Sequence, residues 1–208
     1  ELPVVDTWSD RIPSRRSEWV DLLRGLAVVV MIEVHATNVW YEGVVPPWLN
    51  FINGLVAPSF LMCAGFGMTL STFQIDGSLR SFKEVLPRYG FILLCAYLLH
   101  APGLALAQWT VLSTPQLFRE LFKIDVLQCV VFSLLILQGL ARCMRHRGAF
   151  GFTALALGVA IAWFSPYLWI TGFGEWISLP LRGLFNGIPD RGVTALFPLF
   201  PWFAFVAF

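Results

Sequence analysis

The chain has 208 residues, of which 57% are hydrophobic and 13% charged, with a net charge of +1. A soluble domain carries roughly 25% charged residues, so this composition, with a mean hydropathy of +0.71, excludes an ordinary water-facing surface and makes lipid the expected solvent. The near-neutral balance excludes a nucleic-acid partner, which needs a basic face, and the four scattered cysteines, Cys63, Cys95, Cys129 and Cys143, lack the spacing of a disulfide or zinc framework, so no metal site is expected.

A membrane span needs about 20 mostly apolar residues. In chain order, five complete spans are expected at about 20–41, 49–72, 86–107, 121–141 and 149–170, and a sixth begins near Thr194 and is still running at Phe208. The expected fold is therefore an all-α polytopic membrane helix bundle: a single transmembrane domain over 1–208, preceded within it by a polar tail over 1–18, and part of a longer protein. Loops rich in Lys and Arg stay in the cytoplasm. Arg11, Arg15 and Arg16 in the tail, Arg80, Lys83 and Arg88 after the second span, and Arg142, Arg145 and Arg147 after the fourth predict a cytoplasmic N-terminus. The alternate loops are richer in Pro, Trp and Gly. No fixed-period repeat or low-complexity tract is present.

The first span, "RGLAVVVMIEVH", carries three ionisable groups. A helix turns about 100° and rises 1.5 Å per residue, so Arg24 and His35 are expected on one face, roughly 16 Å apart along the axis. Asp21, three residues before Arg24, falls on the same stripe. Glu33 lies about 180° from Arg24 and needs a partner elsewhere. Ionisable groups at membrane depth cost roughly 2.5–3.5 kcal/mol each on insertion scales, which makes them functional candidates by default.

Other polar residues are fewer. Asn38 sits one turn beyond His35, placed to orient a substrate or to fix the imidazole tautomer. Asp125 and Gln128 in "KIDVLQC" lie one turn apart at the head of the fourth span, as substrate contacts or as interhelical hydrogen bonds. His100, before "APG", reads as an interfacial histidine. Gly65, Gly67 and Ser71 in "AGFGMTLS" have the small-residue spacing of close helix packing. Pro198 and Pro201 in "FPLFPW" should break the sixth span locally.

An Arg, ten intervening residues and a His, early in the first span, resembles the signature of the type-three membrane acyltransferases. The blocks "EWVDLLRGLAVVVMIEVHATNVWY", "APSFLMCAGFGMTLS", "KIDVLQCVVFSLL" and "FPLFPWFAFVAF", spread from Glu18 to Phe208, are closer to a sister group, the bacterial proteins related to heparan-alpha-glucosaminide N-acetyltransferase. The resemblance implies a protein of about ten spans in a bacterial inner membrane. It implies transfer of an acetyl (acyl) group from cytoplasmic acetyl-CoA to a sugar or amino-sugar acceptor on the outer side, by O- or N-transfer. Arg24 and His35 match the family's Arg and His. In the lysosomal relatives an Asn stands where His35 is, with the catalytic His further on; here no His occurs between Ala36 and Leu99, so the role falls to His35.

On this reading His35 is the catalytic residue, as base or as carrier of the acetyl group. Arg24, with Asp21, holds the phosphates or arm of acetyl-CoA, and Asn38, Asp125 and Gln128 contact the acceptor. The expected partners are the lipid bilayer, acyl-CoA and a glycan or amino sugar, with a homodimer compatible with them. The competing reading is a transporter or flippase moving a small polar solute past the same charges.

Overall fold

The computed structural model describes residues 18–74, 78–101, 121–144, 146–172, 183–185 and 195–208. The main elements are α1 (Glu18–Trp40), α2 (Pro47–Thr72), α3 (Phe82–His100), α4 (Val126–Met144), α5 (Arg147–Ile170) and α6 (Leu199–Ala207). Among the described residues there is no β-sheet, only isolated bridges at Phe73–Leu79 and Ile124–Ala195. The chain is all-α.

Three helices, α2, α4 and α5, are long and apolar enough to cross a membrane, and the protein is an integral membrane protein. The two further spans expected from the sequence coincide with α1 and α3, of 23 and 19 residues. These carry Asp21, Arg24 and Glu33, and Lys83, Glu84 and Arg88, within their length and are not among the three. Boundaries also differ from expectation. Helix α3 starts at Phe82, four residues early, and the expected upper part of its span, 102–107, lies outside the described residues. Helix α4 starts at Val126, not near 121, because Asp125 caps it: Asp125 Oδ1 accepts from the Val126 amide at 2.7 Å, and Gln128 Oε1 accepts from the Asp125 amide at 3.2 Å. This D-V-L-Q arrangement supplies the return arm of a capping box, the N3 glutamine reaching back to the N-cap amide, while Asp125 bonds the N1 amide in place of the N3 one.

Helix ends follow local chemistry. Pro47 opens α2 in the first turn, where a missing amide hydrogen costs nothing. Helix α5 ends in Thr171 and Gly172, the latter at φ 70°, a left-handed position that glycine occupies without a Cβ clash.

Contacts across helices fix an up-and-down arrangement. Gln138, near the end of α4, donates to Thr72, the last residue of α2, at 2.6 Å, and to the Tyr89 hydroxyl in the first half of α3 at 3.3 Å. Arg147, first in α5, donates to the carbonyls of Phe73 and Gln74 at 2.8 and 3.0 Å. One end of the bundle therefore gathers the end of α2, the starts of α3 and α5 and the end of α4. The opposite end holds the start of α2, the end of α3, the start of α4 and the end of α5.

Helix α6 is the centre of the packing, set against α2, α4 and α5. Phe203 is fully buried, and Ala204 and Val206 nearly so. Lipid tails are as apolar as leucine, so burial from water does not drive this contact; close van der Waals fit does. A Cβ on Gly65 of α2 would come 1.8 Å from the Val206 carbonyl oxygen, and one on Gly158 of α5 would come 3.1 Å from the Ala207 Cβ. Gly65 thus does what the small-residue spacing predicted. Gly67 does not, since a Cβ there would meet open space. The prolines break the helix as expected: Phe200 is non-helical at φ −101°, ψ 109°, the Phe200–Pro201 peptide is cis, and the freed Phe200 carbonyl accepts from the Trp169 indole at 3.1 Å.

Candidate functional site

Helix α1 packs chiefly against α2. The helices run antiparallel, joined by the short 41–46 connection, and their seam is apolar: Leu23, Ala27, Val30, Ile52, Val56 and Ser59 line a small cavity between them. Near its far end the seam holds Glu33. The Thr37 hydroxyl donates to Glu33 Oε1 at 2.7 Å, and the Asn53 amide of α2, in its hydrogen-bonding orientation, donates to Oε2 at 2.9 Å. The partner that Glu33 needs is thus in another helix, and its role is to join α1 to α2.

Arg24, His35 and Asn38 are all exposed, and Asp21 is half-buried. Arg24 and His35 lie within about 20° of each other around the axis. Taking Val30 as the centre of the seam, they sit about 120° and 140° away from it, on the side of α1 that α2 leaves open. Among the described residues neither has a hydrogen bond or ion pair. Two polar side chains on an open face at membrane depth are costly against lipid and available to a ligand. Arg24 sits in the second turn of α1 and His35 five residues from its other end, so they lie toward opposite ends of the bundle.

The second polar group is separate from this stripe. The His100 ring, at the end of α3, places Nδ1 2.9 Å from the Ala96 carbonyl and Nε2 3.5 Å from Asp125 Oδ2 at the head of α4. The side chains are 14% and 31% exposed. Gln128, fully buried, has its Oε1 engaged by the Asp125 amide, and among the described residues its Nε2 has no hydrogen-bond partner. A buried donor left unmade costs about 1–3 kcal/mol, and such groups are rare enough in native proteins to need a reason. His100 is more than the interfacial histidine its sequence position suggests. Nothing local to "LLHAPG" predicts its pairing with a residue 25 positions on, although the D-x-x-Q capping box is legible in the sequence.

Among the described residues the Ser133 hydroxyl, also fully buried, is likewise without a hydrogen-bond partner, whereas the polar residues at the other end of α4 satisfy each other. Arg142 donates to the Gln138 carbonyl and side-chain oxygen at 2.8 and 2.5 Å and to the Arg80 carbonyl at 3.1 Å, and its guanidinium lies 5.0 Å from the Phe82 ring centre. Arg147 stacks over Phe73 at 5.6 Å. Two of the loop arginines therefore tie Phe73, Gln74 and Arg80 to α4 and α5. Among the described residues no group of His, Cys, Asp and Glu could hold a metal ion, and the four cysteines are free thiols.

A family model described as "Heparan-alpha-glucosaminide N-acetyltransferase, catalytic" matches residues 16–208. The match takes in both polar groups. No curated relative and no solved structure gives a significant match.

Proposed function

Because the chain belongs to the heparan-alpha-glucosaminide N-acetyltransferase catalytic family, we propose that it moves an acetyl group from cytoplasmic acetyl-CoA to an amino-sugar acceptor on the far side of a membrane. The observation that carries this reading is the family match over 16–208, read with the Arg24 and His35 stripe left open on α1. The bundle end that gathers Arg80, Lys83, Arg88, Arg142 and Arg147 is taken as cytoplasmic, by the preference of basic loops for that side. Five spans of a longer protein of about ten, in a bacterial inner membrane, complete the arrangement, and the polar side of α1 then faces further transmembrane helices or a second copy in a homodimer.

Arg24, toward the cytoplasmic end, binds phosphate oxygens of acetyl-CoA through its planar fork, with Asp21 beside it on the stripe. His35 lies roughly 16 Å further along α1, a length an extended pantetheine arm can cover, so the thioester reaches the imidazole. His35 takes a proton from the acceptor amine or hydroxyl as that group attacks the thioester carbonyl. The carbon–sulfur bond breaks, CoA leaves as the thiolate, and the proton passes to it. Alternatively the imidazole attacks first and carries the acetyl group before the acceptor receives it. Asn38 orients the acceptor near His35, and Asp125 and Gln128 contact it at the same end of the bundle.

Labelled CoA should exchange into acetyl-CoA without acceptor if the histidine carries the acetyl group, and should exchange only slowly if it is a base. His35→Ala is expected to lower acetyl transfer by at least ~10²-fold with unchanged helicity and thermal unfolding, because the side chain is exposed. A fully active His35→Ala variant would overturn the assignment, and a protein that moves solute without consuming acetyl-CoA would be a transporter.

A further inference from the structure

The capping box at the head of α4 accounts for three of the polar atoms of Asp125 and Gln128: Asp125 Oδ1 and its amide, and Gln128 Oε1. Two atoms are left over. Asp125 Oδ2 meets His100 Nε2 at 3.5 Å, and Gln128 Nε2 is buried and without a hydrogen-bond partner among the described residues. Capping α4 requires neither the histidine nor the orphaned amide. Because the Asp125 amide holds Oε1, the NH₂ points away from that amide and stays available as a donor. The histidine is likewise held: Nδ1 donates to the Ala96 carbonyl at 2.9 Å, and Nε2 faces the carboxylate, to which it donates when the ring carries its second proton.

Resting on the acceptor reading above, we propose that His100 is the positioning residue of the acceptor site. It fixes the Asp125 carboxylate, so that this group and the free Gln128 amide together bind a ligand carrying a hydrogen-bond donor next to an acceptor, such as an amine beside a hydroxyl. The carboxylate accepts from the ligand's N–H or O–H, and Gln128 Nε2 donates to the neighbouring oxygen. Both residues of the pair and His35 lie toward the same end of the bundle, while Arg24 lies toward the other. Loss of His100 should therefore act on the acceptor and leave the donor alone.

The test uses the full chain in lipid nanodiscs, with glucosamine as the probe. Two variants are compared: His100→Phe, which removes the contact to Asp125, and His100→Gln, whose amide can still donate there. For His100→Phe the KM for glucosamine should rise about tenfold or more, through loss of the ion-pair contact that holds the Asp125 carboxylate. The KM for acetyl-CoA should stay within about twofold, and His100→Gln should restore the glucosamine KM to within about threefold of wild type. Gln128→Leu should raise the glucosamine KM alone in the same way. An unchanged glucosamine KM in His100→Phe, equal rises in both KM values in His100→Phe, or a glucosamine KM in His100→Gln as high as in His100→Phe, would overturn the proposal. Calorimetric titration with glucosamine in the absence of acetyl-CoA separates the two readings. Wild-type binding that weakens in His100→Phe and recovers in His100→Gln upholds the site even if no acetyl transfer occurs. Acetyl transfer with glucosamine affinity indifferent to residue 100 upholds the transferase and overturns the site.

Discussion

Helices α1 and α6 stand at opposite extremes of the same apolar chain. Helix α6 has nine residues and is gripped by three neighbours, with Phe203 fully buried and its backbone pressed onto Gly65. Helix α1 has 23 residues and buries only Ala27, resting chiefly on α2. Yet α1 carries the ionisable groups, and α6 carries none. The difference separates two uses of membrane-depth sequence. Where backbones must approach, the chain spends small residues and apolar rings. On α1 it leaves polar side chains on a face that its neighbours do not close, the face proposed above for the chemistry. The polar residues divide in the same way: in the interior Thr72, Tyr89, Gln138 and Arg142 satisfy one another, whereas on the open face Arg24 and His35 have no hydrogen bond or ion pair among the described residues, and Gln128 and Ser133 each keep a buried side-chain atom without a described partner.

The sharpest way to break this comparison is at Gly65. Gly65→Leu should destabilise the bundle by about 3 kcal/mol through overpacking against α6, seen as a lowered unfolding temperature in detergent. Gly67→Ala, two residues away with open space around it, should stay within about 0.5 kcal/mol. Equal effects at the two positions would mean that α6 is not the packing centre. The next largest effect is expected at Gln138. Gln138→Leu strips a partner from Thr72, Tyr89 and Arg142 together, and should cost about 2 kcal/mol in the same assay while sparing acetyl transfer by the molecules that remain folded. At the open stripe the expectation reverses. Arg24→Lys should leave unfolding unchanged and weaken acetyl-CoA binding by about tenfold, because a point charge replaces a bidentate fork. Calorimetry with CoA reads this directly, and an unaltered affinity would remove Arg24 from the donor site.

Much of the helical framework was legible residue by residue. The apolar runs placed α2 and α5 to within two residues of their starts, and the prolines of "FPLFPW" marked the break in α6. The start of α4 was misplaced by about five residues because the apolar count ran through "LFKID", when the capping box at Asp125 is the stronger stop signal. Of the candidate site, Asp125 and Gln128 stood out as polar residues in an apolar run, but His100 did not, since its partner is distant in sequence. Glu33 was seen to need a partner, and Asn53 could not be named from spacing alone.

The sequence by itself determined that this protein is helical and lipid-bound, and that Arg24 and His35 share a stripe, because helical periodicity is a property of consecutive residues and holds whatever the helix packs against. Only the tertiary structure decided which apolar faces meet, that α6 is the hub, and that His100 reaches Asp125. In a membrane the core-facing and lipid-facing sides are equally apolar, so hydrophobic pattern does not distinguish them, and the choice is made by shape at Gly65 and Gly158 and by the few hydrogen bonds that cross between helices.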